Sequence, residues 1–386
     1  MTANGKEQAN QQWNQGLDIA RGIAVLLVVY SHGLPLLANS EIWQVLNHYT
    51  GLHIFFKPGW WGVRIFFALS GYLIGRQAIT VLSKGGLQGA VMFTLRRWTR
   101  TVPTYWILLA ITCSWLGVNW FSPTAIANAT FVQTATLSKG NSSLIEVAWS
   151  LVIEEWSYAV IAAVLLGCAW LNVKAGIKQA AYLLLALAAV SWIWSLAARS
   201  GAAQLNWLDW ELLKKTANLQ LDSLAAGCVL ASMEVLWPHR FRSLTSHPRR
   251  VLLIAATGMS ALGWWLNAVF GPNAQPQAAN WLQLGTIGYT LCNIAACLFI
   301  CGLWKLRDEH MPQWLSKPLH FYAKTSYSLY LIHFPIAIAI QRSWASQNSD
   351  GLFAIYFLMA TLVGTAFWYC FERPFVALRK QLRVRG

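Results

Sequence analysis

Leu17-Asp18-Ile19-Ala20-Arg21-Gly22-Ile23-Ala24-Val25-Leu26-Leu27-Val28-Val29-Tyr30-Ser31-His32 decides how this chain is read. The run is apolar and helix-length, yet it carries an arginine and a histidine. Eleven positions make about three helical turns, so Arg21 and His32 share a face and stand about 16 Å apart along the axis. Ionisable groups inside a membrane are costly and mark functional sites. Asp18 lies one turn before Arg21 and can neutralise it.

The composition agrees with a membrane solvent. Of 386 residues, 56% are hydrophobic and only 11% charged, where a soluble domain has about a quarter charged. Ten apolar segments of bilayer length are expected, near 18–37, 60–82, 102–121, 144–169, 180–198, 216–236, 251–270, 281–304, 321–342 and 352–373. The stretch 124–137 is too short and polar to span and reads as re-entrant or interfacial. The fold class expected is all-α: a polytopic integral membrane protein with about ten transmembrane helices. A membrane domain over 17–375 lies between a disordered cytoplasmic N-terminus, 1–16, and a basic tail, 376–386.

The net charge of +15 finds its meaning in its location. With the N-terminus inside, inner segments hold Lys6, Lys84, Arg96, Arg97, Arg100, Lys174, Lys178, Arg240, Arg242, Arg249, Arg250, Lys305, Arg307, Lys317, Arg379, Lys380, Arg383 and Arg385. Outer segments hold only Lys57, Lys139, Arg199, Lys214 and Lys215. Such asymmetry places both termini in the cytoplasm and removes the need for a nucleic-acid partner. The seven cysteines all fall in apolar segments without zinc-type spacing, so neither a metal nor a disulfide is expected.

Further polar residues interrupt the spans. Trp149-Ser150-Leu151-Val152-Ile153-Glu154-Glu155-Trp156-Ser157-Tyr158 puts Ser150, Glu154 and Tyr158 on one helix face. Glu154, at a depth comparable to His32, is expected to orient that imidazole. Ser70 and Gly71 in Phe66-Phe67-Ala68-Leu69-Ser70-Gly71-Tyr72, with Gly62, suit close helix approach. Arg64, near the outer end of the same span, reads as a snorkelling residue. Arg96, Arg97 and Arg100 form a cationic face at the expected start of a helix, an arrangement suited to phosphate groups. Asp222 interrupts the sixth span, and the ninth contains Ser326-Tyr327-Ser328-Leu329-Tyr330-Leu331-Ile332-His333-Phe334-Pro335.

In this order, with Arg97-x-x-Arg100 before Pro103 and with Glu372-Arg373-Pro374 near the end, the set resembles the acyltransferase family 3 integral-membrane proteins. The resemblance runs from residue 17 to 375. It implies an O-acyltransferase of the bacterial inner membrane that moves an acyl group, commonly acetyl, from cytoplasmic acetyl-CoA or another acyl-CoA. The acceptor it implies is a hydroxyl of a polysaccharide, lipopolysaccharide or lipid-linked sugar. It assigns His32 as the catalytic histidine, Arg21 as its support, and Arg97 with Arg100 as contacts for the CoA phosphates. His32 then acts as general base or transient acyl carrier, with Arg21, Tyr158 and His333 as candidates to support the forming alkoxide. Asp18, Ser70, Trp149, Ser150, Asp222 and Tyr330 complete the candidate set. Some family members carry a fused extracytoplasmic esterase-like domain. None is read in this sequence, so the chain either acts alone or hands acyl groups to a separate extracytoplasmic partner. A transporter or flippase of a lipid-linked sugar is the alternative from another class.

Overall fold

The computed structural model describes residues 14–37, 59–84, 86–134, 143–204, 213, 215–270, 280, 283–344 and 350–381. Most of the expected disordered N-terminus, together with Lys6, Lys57, Lys139, Lys214, Arg383 and Arg385, lies outside them. The chain is an all-α, multi-pass membrane protein. The described helices are α1 (Gln15–Gly33), α2 (Gly59–Lys84), α3 (Gly86–Leu116), α4 (Pro123–Ala129), α5 (Trp149–Trp170), α6 (Ile177–Gln204), α7 (Leu221–Leu236), α8 (Pro238–Ser246), α9 (Pro248–Phe270), α10 (Tyr289–Leu303), α11 (Gln313–Trp344), α12 (Asp350–Phe367) and α13 (Arg373–Gln381).

Among the described residues, six helical segments are long and apolar enough to cross a bilayer. A seventh is added if α7 and α8, bent by 111° at Trp237, count as one broken span. The expected count of ten is not reached by this measure, and in two of the expected spans the reason is polarity. Expected spans 102–121, 251–270 and 321–342 coincide with α3, α9 and α11, helices of 31, 23 and 32 residues. The first carries Arg96, Arg97 and Arg100 in its middle, and the last carries Lys317, Lys324 and Arg342. The segment expected to span 216–236 holds a short 3-10 turn, Ala217–Leu219, and is α-helical only from Leu221. In the stretch 124–137, the described part holds α4, a short helix capped by the Ser122 side chain.

Backbone proximity sets how the spans meet. A Cβ on Gly71 would lie 2.0 Å from the Leu224 carbonyl oxygen, and one on Gly227 2.2 Å from that of Ala68. Helices α2 and α7 thus touch backbone to backbone, the small-residue packing that membranes favour. Gly22 does the same for α1 against α11, where a Cβ would come within 2.3 Å of the Leu319 oxygen. Helices α1 and α11 therefore run side by side, with Gly22 packed at Leu319 and His32 reaching His333 further along.

Among the described residues, two π-helical turns break the regular pattern, Leu284–Gly288 before α10 and Trp368–Glu372 between α12 and α13. The second turns Glu372 inward. Its carboxylate accepts from the Ser328 hydroxyl at 2.6 Å and from the Ser328 backbone N–H at 3.2 Å. The Glu372-Arg373-Pro374 and Ser326-Tyr327-Ser328 motifs are therefore two halves of one lock between α12 and α11.

Candidate active site

A cavity of about 310 Å³ opens at one end of the bundle, a size typical of ligand sites. Its rim and walls come from Asn14, Asp18 and Arg21 of the α1 start, Gln77 of α2, Arg96, Arg97, Arg100 and Thr101 of α3, and Arg379 of α13. Ser70 and Glu154 join the wall beside Arg97, and Phe66, Ser150 and Tyr330 close the end nearer the histidines. The expected cationic face is present, but not at a helix start. Helix α3 begins at Gly86, so guanidinium groups, not free backbone N–H groups, offer the positive charge. The cavity wall holds five arginines and two carboxylates, Asp18 and Glu154.

Both carboxylates are engaged. Asp18 pairs with Arg21 at 2.9 Å, as their spacing of three residues predicts. Glu154 accepts from Arg97 Nη2 at 2.7 Å, from the Tyr158 hydroxyl at 2.9 Å and from the Ser70 hydroxyl at 3.0 Å. Arg97 also donates to the Tyr158 hydroxyl and lies over its ring, 4.0 Å from the centroid. Glu154 therefore fixes Arg97 and does not orient His32, correcting the expectation drawn from depth alone. Its neighbour Glu155 is buried on another face, accepting from Thr101.

At the closed end the Tyr330 hydroxyl donates to the Val147 carbonyl at 2.9 Å and receives the Ser150 hydroxyl at 2.7 Å. Phe66 meets the Tyr330 ring edge-on. Trp149 is buried against Phe67 and stays outside the lining.

His32 stands behind this wall. Its imidazole is half-buried and absent from the cavity lining, so the direct route expected from the arginines to His32 is interrupted by one aromatic layer. The Tyr330 ring is 5.7 Å from that of His333, and His333 is 5.0 Å from His32, centroid to centroid. His333 is fully buried. Its Nδ1 lies 3.1 Å from the Leu329 carbonyl, and its Nε2 lies 3.1 Å from His32 Nδ1. A carbonyl can only accept, so His333 Nδ1 carries the proton and neutral His333 offers its lone pair at Nε2. His32 Nδ1 also faces the Val28 carbonyl at 3.0 Å. Two acceptors at one nitrogen place the proton of His32 there and leave Nε2 as its basic atom.

Asp222 belongs elsewhere. It is fully buried and holds Arg199 through two bonds, of 2.8 and 3.0 Å. Arg199, expected in an outer loop, is inside α6 and also bonds the Leu219 carbonyl. Arg64, expected to snorkel, is only 1% exposed. It bonds Ser223, Gln220 and Asn293 and lies against Trp60 and Tyr289. This network links α2, α6, α7 and α10 and contributes nothing to the cavity lining. Its place identifies Asp222 as a structural counter-ion.

Sequence reasoning missed Asn14, Gln77, Thr101, Tyr327 and Arg379 as lining residues. Arg379 was visible only as one of many flanking charges, although the Glu372-Arg373-Pro374 turn marks the start of the helix that presents it.

Comparison with known proteins bears on this geometry. A peptidoglycan O-acetyltransferase OatA of Listeria monocytogenes is 26% identical over 303 residues, covering 72% of this chain and 45% of that protein. An O-acetyltransferase OatA of Staphylococcus aureus is 24% identical over 379 residues, covering 93% of this chain and 56% of that protein. The chain spans about half the length of these curated relatives. No solved structure matches it. The family model described as an acyltransferase domain matches residues 14–373, a span that contains the histidine pair and every cavity-lining residue except Arg379, and the chain belongs to that membrane acyltransferase family.

Proposed function

We propose that this protein is a membrane O-acyltransferase, an O-acetyltransferase in its usual reaction, that moves an acyl group from acyl-CoA to a sugar hydroxyl of a cell-surface polysaccharide. The observation that carries this reading is the alignment of an arginine-rich cavity, its Tyr330 end wall and the His333–His32 pair along one axis. An acyl-CoA is a long polyanion with a neutral arm and a thioester at its tip. Arginines suit its phosphates, because guanidinium groups bind phosphate oxygens in bidentate fashion. The deep, mostly uncharged end suits the arm and thioester.

In the reaction, His32 Nε2 takes the proton of the acceptor hydroxyl. The oxygen attacks the thioester carbonyl, the carbon–oxygen bond forms, and the carbon–sulfur bond breaks. The proton held by His32 goes to the departing thiolate. The positive charge that His32 gains in the transition state is shared with His333, whose lone pair receives its Nδ1 proton. Arg21 stands at the cavity mouth, paired with Asp18, about 16 Å from His32 along α1. Its part is therefore with the donor phosphates and not with the imidazole. Tyr330 separates the two compartments, so the thioester meets His32 only where that ring yields.

The positive-inside distribution supports a cytoplasmic mouth for the cavity, which matches the compartment of acyl-CoA and suits a protein of the bacterial inner membrane. The acceptor class follows the relatives, one of which is named for peptidoglycan. Lipopolysaccharide and lipid-linked sugars carry the same hydroxyl chemistry. A separate extracytoplasmic protein that receives the acyl group is compatible with the same site. Membranes holding the protein, incubated with labelled acetyl-CoA, are expected to move label into glycan. Mass spectrometry of surface glycans with and without the gene then identifies the acceptor. Transport of unmodified lipid-linked sugar with no label incorporated would refute the enzyme reading.

A further inference from the structure

Arg379 lies in the last turn of α13, a helix that packs on α3 and follows the Trp368–Glu372 turn. Its side chain joins the cavity wall. There it is within electrostatic reach of Arg100, Arg97, Arg96 and Arg21. Among the described residues, neither Arg100 nor Arg379 makes a hydrogen bond or an ion pair, whereas Arg21 and Arg97 each hold a carboxylate. Like charges drawn together in a partly desolvated space repel strongly. The lining itself carries five guanidiniums and two carboxylates, an excess of positive charge that Glu372, within reach of Arg100 and Arg21, offsets only in part. That excess is relieved when an anion of several charges enters.

Position in the cavity selects which part of such an anion Arg379 meets. The reacting thioester must occupy the deep end, near Ser150 and Tyr330. The opposite end of the donor is left at the rim, where Arg379 and Asn14 stand. In a coenzyme A thioester that end is the adenosine with its 3′-phosphate, a monoester that carries close to two negative charges. The pyrophosphate falls between, beside Arg97 and Arg100.

We propose that Arg379 binds the ribose 3′-phosphate of the donor and so sets the site's preference for the phosphorylated coenzyme. The proposal rests on the acyl-CoA reading above and extends the site to an element that the matched motifs do not include.

Calorimetry on the purified full chain in detergent tests it, with CoA and 3′-dephospho-CoA as probes. The unmodified protein is expected to bind CoA about tenfold or more tightly than dephospho-CoA, the worth of one charge-assisted contact. Arg379→Ala is expected to remove that difference while leaving dephospho-CoA affinity unchanged, which also shows that the rest of the site is folded. Arg379→Lys should restore part of the preference, and Arg379→Gln replaces the alanine variant if that variant does not fold. Equal loss for both probes, or no loss for either, overturns the assignment to the 3′-phosphate. An unmodified protein that binds neither probe overturns the acyl-CoA reading itself, and the proposal with it.

Discussion

His333 Nε2 lies 3.1 Å from His32 Nδ1, although 301 residues separate them in the chain. The close approach of α1 to α11 at Gly22 brings them together, and the Leu329 carbonyl fixes which nitrogen of His333 accepts. The pair is therefore a relay with a direction: the proton of His32 points at His333, and the base of His32 points away.

That direction makes His333 a positioning residue for His32. His333→Ala is expected to lower kcat roughly 10²-fold, within the range attributed to a positioned general base. The KM for acyl-CoA should stay near its original value, because neither histidine lines the donor cavity. Steady-state kinetics with varied acyl-CoA measure both. A raised KM with unchanged kcat would place His333 in donor binding instead.

The Arg97–Glu154 pair predicts strong non-additivity. Removing either partner leaves the other charged at the cavity wall with its counter-ion gone. Both side chains keep some solvent access, 15% and 13% exposed, which moderates the penalty. Arg97→Ala and Glu154→Ala are each expected to lower the stability of the purified protein, and the double variant to lose less than their sum. A coupling of about 1 kcal/mol or more is the expected size. Additive losses in thermal unfolding would show that the two side chains act independently.

Asp222 is expected to matter for folding and not for donor binding. Asp222→Asn leaves the fully buried Arg199 without a carboxylate, a defect worth roughly 3 kcal/mol. The amount of protein in the membrane should fall. The fraction that folds should bind CoA as the unmodified protein does. Normal abundance with weakened CoA binding would return Asp222 to the active site.

How far the sequence carried can be seen residue by residue. Period and spacing placed Arg21 and His32 on one face, Asp18 beside Arg21, and Ser150, Glu154 and Tyr158 on another face. They also marked small residues where helices touch. These are properties within one helix, where the rise and turn are fixed. Facing partners are not. Counting residues put Glu154 and His32 at similar depths, yet the bundle sets Glu154 beside Arg97 and Ser70 and turns His32 to His333. Arg199 sat at the edge of an apolar run and so read as loop, because no local signal announced Asp222 as its counter-ion. The start of α3 was misplaced for a related reason: arginines inside a continuous helix look the same in sequence as arginines before one.

The central claim is that His32 activates the acceptor. Transfer of label from acetyl-CoA to glycan, measured in membranes holding equal amounts of the unmodified protein and of His32→Ala, tests it most directly. The account predicts at least a 10²-fold loss of transfer with CoA binding retained. Label transferred by the variant at the unmodified rate would contradict it.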